Sequence, residues 1–248
     1  MLANITTDGV SHWPVWSPDG TRLAFRSGPM GHFALWHVPA DRSSAPQKLS
    51  AAGVSQSAES WAPDGHTIAY TAQAPGVSAS IMVVRLDADQ SAKLFDKEKA
   101  PEGSPKFSPD GRWLAYCSNE SGKPQVYVQA FPGPGAKIQI SNDGGTDPVW
   151  KRNGGELYYR NGDSMMAVAV TTAPTFMAGR PQQLWKGHYA QGMSSSCGPP
   201  GATSSNYDVT ADGKRFLMIK DDEQDAISRQ LIVVLGWADE LRRKDVKA

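Results

Sequence analysis

Five side chains able to hold a cation or move a proton stand near the starts of short apolar runs: His12, Glu59, Glu102, Asp147 and Asp208. Asn206 and Trp13 stand beside them. Carboxylates and amides converging from separate strands suit Ca²⁺ or a similar hard cation, which takes oxygen donors at about 2.3–2.6 Å. A cation held this way polarises an ester or phosphoryl oxygen. The set therefore predicts a metal-dependent hydrolase of lactones, aryl esters or phosphotriesters. Without a metal, the same residues are solvated turn groups, or carboxylates bonding backbone amides at a strand start. Trp13 differs from the small or polar residues in equivalent places (Ala58, Ser104, Asp147) and is expected to face a ligand.

Other chemistries lack their residues. The strings Gly53-Val54-Ser55-Gln56-Ser57 and Gly192-Met193-Ser194-Ser195-Ser196 miss the second glycine of a nucleophile elbow. The five histidines make no zinc-type spacing. Basic and acidic side chains number 25 each, which removes the electrostatic case for nucleic acid or an anionic membrane. No run approaches the roughly 18 apolar residues of a membrane span, and the N-terminus does not read as a signal peptide. As written, the chain is expected to be cytoplasmic. Of the two cysteines, Cys117 lies in an apolar run and is expected to be a small buried thiol. Cys197 lies in a Ser/Gly/Pro-rich stretch and is expected to be exposed.

The elements that must position these residues repeat. Ser17-Pro18-Asp19-Gly20 recurs as Ala62-Pro63-Asp64-Gly65 and Ser108-Pro109-Asp110-Gly111, then more weakly as Lys151-Arg152-Asn153-Gly154 and Thr210-Ala211-Asp212-Gly213. The glycines are spaced by 45, 46, 43 and 59 residues. Proline presets φ for the second turn position, Asp or Asn suits the third, and glycine takes the left-handed conformation that returns the chain. An apolar, mostly aromatic residue precedes each turn, and a partly alternating apolar run follows it, such as Leu23-Ala24-Phe25 or Leu114-Ala115-Tyr116. A third strand follows in each unit and a short fourth in four of them, for example Gln182-Gln183-Leu184-Trp185.

Four strands in about 43–46 residues mark the blades of a β-propeller. The fold expected is all-β, one domain over 1–248, with five four-stranded blades at about 10–50, 53–97, 101–141, 144–187 and 205–237. The last blade is completed by the N-terminal strand at 3–6, or the chain is a partial propeller completed by oligomerisation. The interval of 59 reflects an insertion at about 187–206, and residues 238–244 read as a short charged helix or a frayed tail.

The turn repeats and their Arg-x-Leu-Ala-Phe/Tyr-like strands resemble the TolB-like or WD-repeat-like bacterial propellers. Phe107 to Tyr116, Ser118-Asn119-Glu120-Ser121-Gly122, Phe131-Pro132-Gly133-Pro134-Gly135 and Gly144 to Trp150 are similar to the C-terminal propeller of bacterial eukaryote-like Ser/Thr protein kinases. The resemblance implies a sensing or interaction module, an extracytoplasmic location and six or more blades. It implies no kinase activity, since the nucleotide loop, His-Arg-Asp and Asp-Phe-Gly motifs are missing. Two functions stand from the sequence. One is a non-catalytic, sensor-type module for a protein, peptide or small-molecule ligand, as a monomer or homodimer and with no cofactor. The other is the cation-dependent hydrolase, with His12, Glu59, Glu102, Asp147 and Asp208 as metal ligands.

Overall fold

Each copy of the repeat builds the same hairpin turn in the computed structural model of the chain. The turn glycines Gly20, Gly65, Gly111, Gly154 and Gly213 have φ between 69° and 76°. Each donates its N–H to the first turn residue: Ser17, Ala62, Ser108, Lys151 and Thr210, at 2.8–3.0 Å. The Asp carboxylate locks the turn from inside, accepting for example the Ser108 hydroxyl at 2.6 Å and the Arg112 N–H at 3.2 Å. The structure describes residues 4–50, 54–88, 91–96, 100–133, 135–190, 197 and 207–220, and the backbone alone of 230–234.

Antiparallel sheets grow from these turns. Blade 1 holds β1 (His12–Trp16), β2 (Arg22–Ser27), β3 (Ala34–Pro39) and β4 (Gln47–Lys48). Blade 2 holds β5 (Ser55–Trp61), β6 (Thr67–Gln73), β7 (Ser80–Arg85) and β8 (Lys93–Leu94). Blade 3 holds β9 (Glu102–Phe107), β10 (Trp113–Ser118), β11 (Gln125–Ala130) and β12 (Lys137–Gln139). Blade 4 holds β13 (Thr146–Trp150), β14 (Glu156–Asn161) and a long β15 (Ser164–Thr171). Two short strands share the outer edge of β15: β16 (Met177–Ala178) pairs its end and β17 (Gln182–Lys186) its beginning. The sequence showed only the second of these. Blade 5 holds β18 (Tyr207–Val209), β19 (Phe216–Lys220) and β20 (Gln230–Val234).

The second strand of each blade sorts its side chains by parity. Leu23 and Phe25 point to one face, and Ala24 points to the other. Ala24 packs with Trp61, Ile68 and Tyr70 of blade 2. Ala69 packs with Phe107, Leu114 and Tyr116 of blade 3. Ala115 packs with Trp150, Leu157 and Tyr159 of blade 4, and Tyr158 with Tyr207, Phe216 and Met218 of blade 5. The pre-turn aromatics of blades 2 to 4 thus rest on the preceding blade. Trp61, Phe107 and Trp150 are 7–8% exposed, whereas Trp16, with no blade before it, is 56% exposed. At the other end Leu217 occupies the position of Ala24 and is 39% exposed. Among the described residues no apolar cluster joins blade 5 to blade 1.

The closure expected from residues 3–6 does not form among the described residues. Residues 4–6 lie in no strand, and Ile5 packs on Leu23, Phe25 and Val38. The physical reason is apolar area: among the described residues no blade covers this face of blade 1, and Ile5 leaves water by packing on it. The Asp8 carboxylate fixes the segment, accepting the Ser27 hydroxyl at 2.6 Å and two backbone N–H groups at 3.1 Å. The reading of the cysteines is also corrected. Cys117 and Cys197 are joined in a disulfide with Cα atoms 6.0 Å apart, and both are buried. The bond ties the insertion after blade 4 to β10, across 80 residues of chain. The reading of 238–244 lies outside the described residues.

Candidate functional site

The innermost strands β1, β5, β9, β13 and β18 face the propeller axis, and four of them bend at one place. Trp13, Ser104 and Asp147 hold φ of 54°, each just before a proline (Pro14, Pro105, Pro148). β5 has Ala58-Glu59 there, and its register slips between Ala58 and Ser60. Such bulges re-aim the side chains that follow. As a result Val15, Ser60, Lys106, Val149 and Asp208, each one residue before a strand's last position, all line a depression of about 680 Å³ at the turn end of the axis. Trp16, Trp61, Phe107 and Trp150 stand around them, with Pro18, Pro63, Pro109 and Arg152 at the rim.

Hydrogen bonds lace the inner strands together. The Lys106 ammonium donates to the Glu59 carbonyl at 2.6 Å, and the Phe107 N–H to the Ser60 hydroxyl at 3.0 Å. The Trp150 indole N–H donates to the Lys106 carbonyl at 2.9 Å, and the Tyr207 hydroxyl to the Asp147 carbonyl at 2.7 Å. Behind the depression lies a sealed charged plug. Glu59 and Asp147 are 2% and 4% exposed. Neither Glu59 carboxylate oxygen, nor Asp147 Oδ1, accepts a hydrogen bond. Lys106 Nζ stands 3.8 Å from Glu59 Oε2. Burial pushes the Glu59 carboxyl up to about 7 and that of Asp147 up to about 6; Lys106 opposes both shifts. Arg26 sits between the rings of Trp13 and Phe33, 3.1 and 4.1 Å from their centroids, and donates to the Ser57 hydroxyl at 3.3 Å. Burial lowers Arg26 to about 10 and lowers Arg160, whose guanidinium donates to the Gly162 carbonyl at 2.8 Å.

The residues singled out in the sequence are therefore divided among several places. Glu59 and Asp147 come together. His12 is exposed and packs edge-on against Phe33, centroids 5.9 Å apart. Asp208 is exposed on the wall of the depression and accepts its neighbour's N–H from Val209 at 2.7 Å. Trp13 also lines the depression, yet its ring is covered by Arg26. Asn206 lies outside the described residues. Glu102 belongs to a second cluster: with Asp96 and Glu120 it surrounds Lys137, at 3.7, 3.3 and 2.6 Å. Burial raises Glu102 to about 8, against the pull of Lys137. The five expected metal ligands thus do not assemble. Among the described residues no three His, Cys, Asp or Glu side chains are placed to hold a metal ion. The plug does not fit a divalent cation either, because Lys106, Arg26 and Arg160 already face its two carboxylates. The cations were missed in the sequence. Lys106 carried a signal, as a charge where β1, β5 and β13 have Val, Ser and Val.

Residues 14–176 match the sequence profile described as the TolB beta propeller domain. The chain belongs to the TolB β-propeller family. It is 34% identical to a TolB homolog of Chlorobium luteolum, over 48% of this propeller and 26% of that protein. It is 26% identical to the uncharacterized peptidase YuxL of Bacillus subtilis, over 46% of this propeller and 24% of that protein. It thus spans about a quarter of the length of these two relatives. The crystal structure of TolB from Acinetobacter baumannii is similar with a TM-score of 0.69 at 16% identity, covering 91% of this propeller and 52% of that chain. An oligogalacturonate lyase in complex with manganese is similar with a TM-score of 0.63 at 14% identity, covering 93% and 63%. At these identities the structural likeness supports the fold alone.

Proposed function

We propose that this TolB-type propeller is a non-catalytic, sensor-type binding module whose protein, peptide or small-molecule ligand seats in the axial depression. One observation carries the reading. The depression offers exposed Trp16, apolar walls and the Lys106 ammonium, while the Glu59 and Asp147 carboxylates are buried and Asp208 is the one exposed acid on the wall. Its volume of about 680 Å³ falls within the roughly 300–1,000 Å³ of ligand sites. The likeness of the Phe107–Trp150 region to kinase-linked propellers supports the sensor role. Screening the folded chain by ligand-observed NMR against mixed peptides and metabolites tests it. Bound compounds should release in Trp16→Ala and stay bound in Met30→Ala, an exposed apolar control outside the depression. No binders, or binders indifferent to Trp16, would overturn the reading.

The alternative is a cation-dependent hydrolase. Metal content and ester hydrolysis before and after chelation test it; absence of both removes it. The buried disulfide favours an oxidising, extracytoplasmic setting, which fractionation of the expressing cell checks. A homodimer suits the bare end faces at Trp16 and Leu217. Sedimentation equilibrium should then show mass rising with concentration, and a monomer throughout excludes it.

A further inference from the structure

Blades 3 and 4 break the repeat at two places on the wall of the depression. Where the inner strands of blades 1, 2 and 4 carry Val15, Ser60 and Val149, blade 3 carries Lys106. At the second turn position, where the first three blades carry Pro18, Pro63 and Pro109, blade 4 carries Arg152. The two cations flank Trp150, whose indole N–H holds the Lys106 carbonyl. An ammonium has three donors, and Lys106 gives one to the Glu59 carbonyl. The Glu59 carboxylate, at 3.8 Å, lies beyond hydrogen-bond reach. The Lys106 side chain keeps 21% of its exposure. Asp208 is the one exposed acid on the wall, and its carboxylate already accepts the Val209 N–H.

We propose that the depression binds an organic carboxylate, its charged end against Lys106 and Arg152 and its apolar body against Val15, Trp16 and Val149. The proposal rests on the binding-module reading and names its ligand class. On the exposed wall Lys106 and Arg152 meet one acid, Asp208, whereas the Glu59 carboxylate 3.8 Å from Lys106 is buried. A guanidinium fork matches a carboxylate in shape. A cationic ligand would meet Lys106 and Arg152 head-on. The carboxylate could belong to a small acid or to the C-terminus of a peptide.

Three compounds of one shape separate the charges: 3-phenylpropionate, 3-phenylpropanol and 3-phenylpropylamine, titrated against the tryptophan fluorescence of the intact chain. The acid is expected to bind at least about tenfold tighter than the other two, and Lys106→Met to lose about that factor, the worth of one charge-assisted bond. Arg152→Pro installs the residue the first three turns carry, so it suits the turn, and it should weaken the acid selectively. Equal binding of alcohol and acid, no binding of any of the three, or indifference to both substitutions overturns the proposal. A hexapeptide ending in Phe, free or amidated, assigns the source. A free end preferred about tenfold supports a peptide terminus, both peptide forms binding more weakly than phenylpropionate supports a small acid, and an amide that binds as tightly as phenylpropionate overturns the proposal. Binding of the alcohol alone would sink the carboxylate while leaving the binding module standing. Failure of every compound class at Trp16 would sink the module itself.

Discussion

Glu59 and Lys137 show how burial and charge set the behaviour of single residues. Glu59 is raised from 4.5 to about 7 and Asp147 from 3.8 to about 6. The folded chain therefore holds protons that the unfolded chain releases. The stability this confers is fully present below the unfolded values and is lost as pH rises through about 6 and 7. Urea midpoints at pH 5 and pH 8 should fall for the native protein and fall less for Glu59→Gln, whose gain at pH 8 is up to about 3 kcal/mol. Parallel falls would show that Glu59 is ionised at no cost. Lys137 is the opposite case, a cation that makes buried Glu102 tolerable. Lys137→Met should destabilise more at pH 9 than at pH 5, by up to about 3 kcal/mol, because there Glu102 must either keep its proton against the solvent or bury an unpaired charge. At pH 5 Glu102 is protonated in both proteins, and the loss should shrink. A loss equal at both pH values would point to packing of the lysine stem on Tyr116 and Tyr127 instead.

Strands and turns were the most legible level. Proline, Asp and Gly in fixed order dictate a turn from local energetics, so all five appear where the repeat put them. Blade faces follow from parity along a strand, which is equally local. What the sequence could not show is which copy of a repeated residue finds a partner. Trp16 and Trp61 hold the same position in neighbouring blades, yet one is exposed and the other is buried against Ala24 and Leu35. Trp61→Ala should cost about 3–5 kcal/mol, read from urea unfolding, and Trp16→Ala less than about 1 kcal/mol. Similar costs would mean that Trp16 is covered in solution, by blade 5 or by a second chain. The site was less legible for the same reason. The sequence grouped Glu59, Glu102 and Asp147 as residues near strand starts, although they stand six, nine and seven residues before their turn glycines, and the bulges at Trp13, Ser104 and Asp147 shift the register of the inner strands. In three dimensions Glu102 belongs to the flank of blade 3.

At the scale of the whole molecule, the apolar clusters among the described residues join neighbouring blades, as in other repeat architectures, so stability accumulates from blade to blade. Long-range ties are then worth more than their number suggests. The Cys117–Cys197 bond is such a tie, joining β10 to the insertion that follows blade 4 and so spanning the blade 3–blade 4 pair. Spacing in the sequence could not announce it, because the partners are 80 residues apart and one lies in an irregular stretch. Closing a loop of that length restricts the unfolded chain by about 4 kcal/mol in the chain-entropy account. Reduction should therefore lower the thermal midpoint by several degrees, and Cys117→Ser with Cys197→Ser should reproduce the lowered midpoint and abolish its response to reductant. Both sulfurs are bonded to each other and buried, so the protein should show no labelled thiol, folded or unfolded, until it is reduced. Free thiols titrating in the folded, unreduced protein would remove the tie, and with it the physical argument for an oxidising compartment.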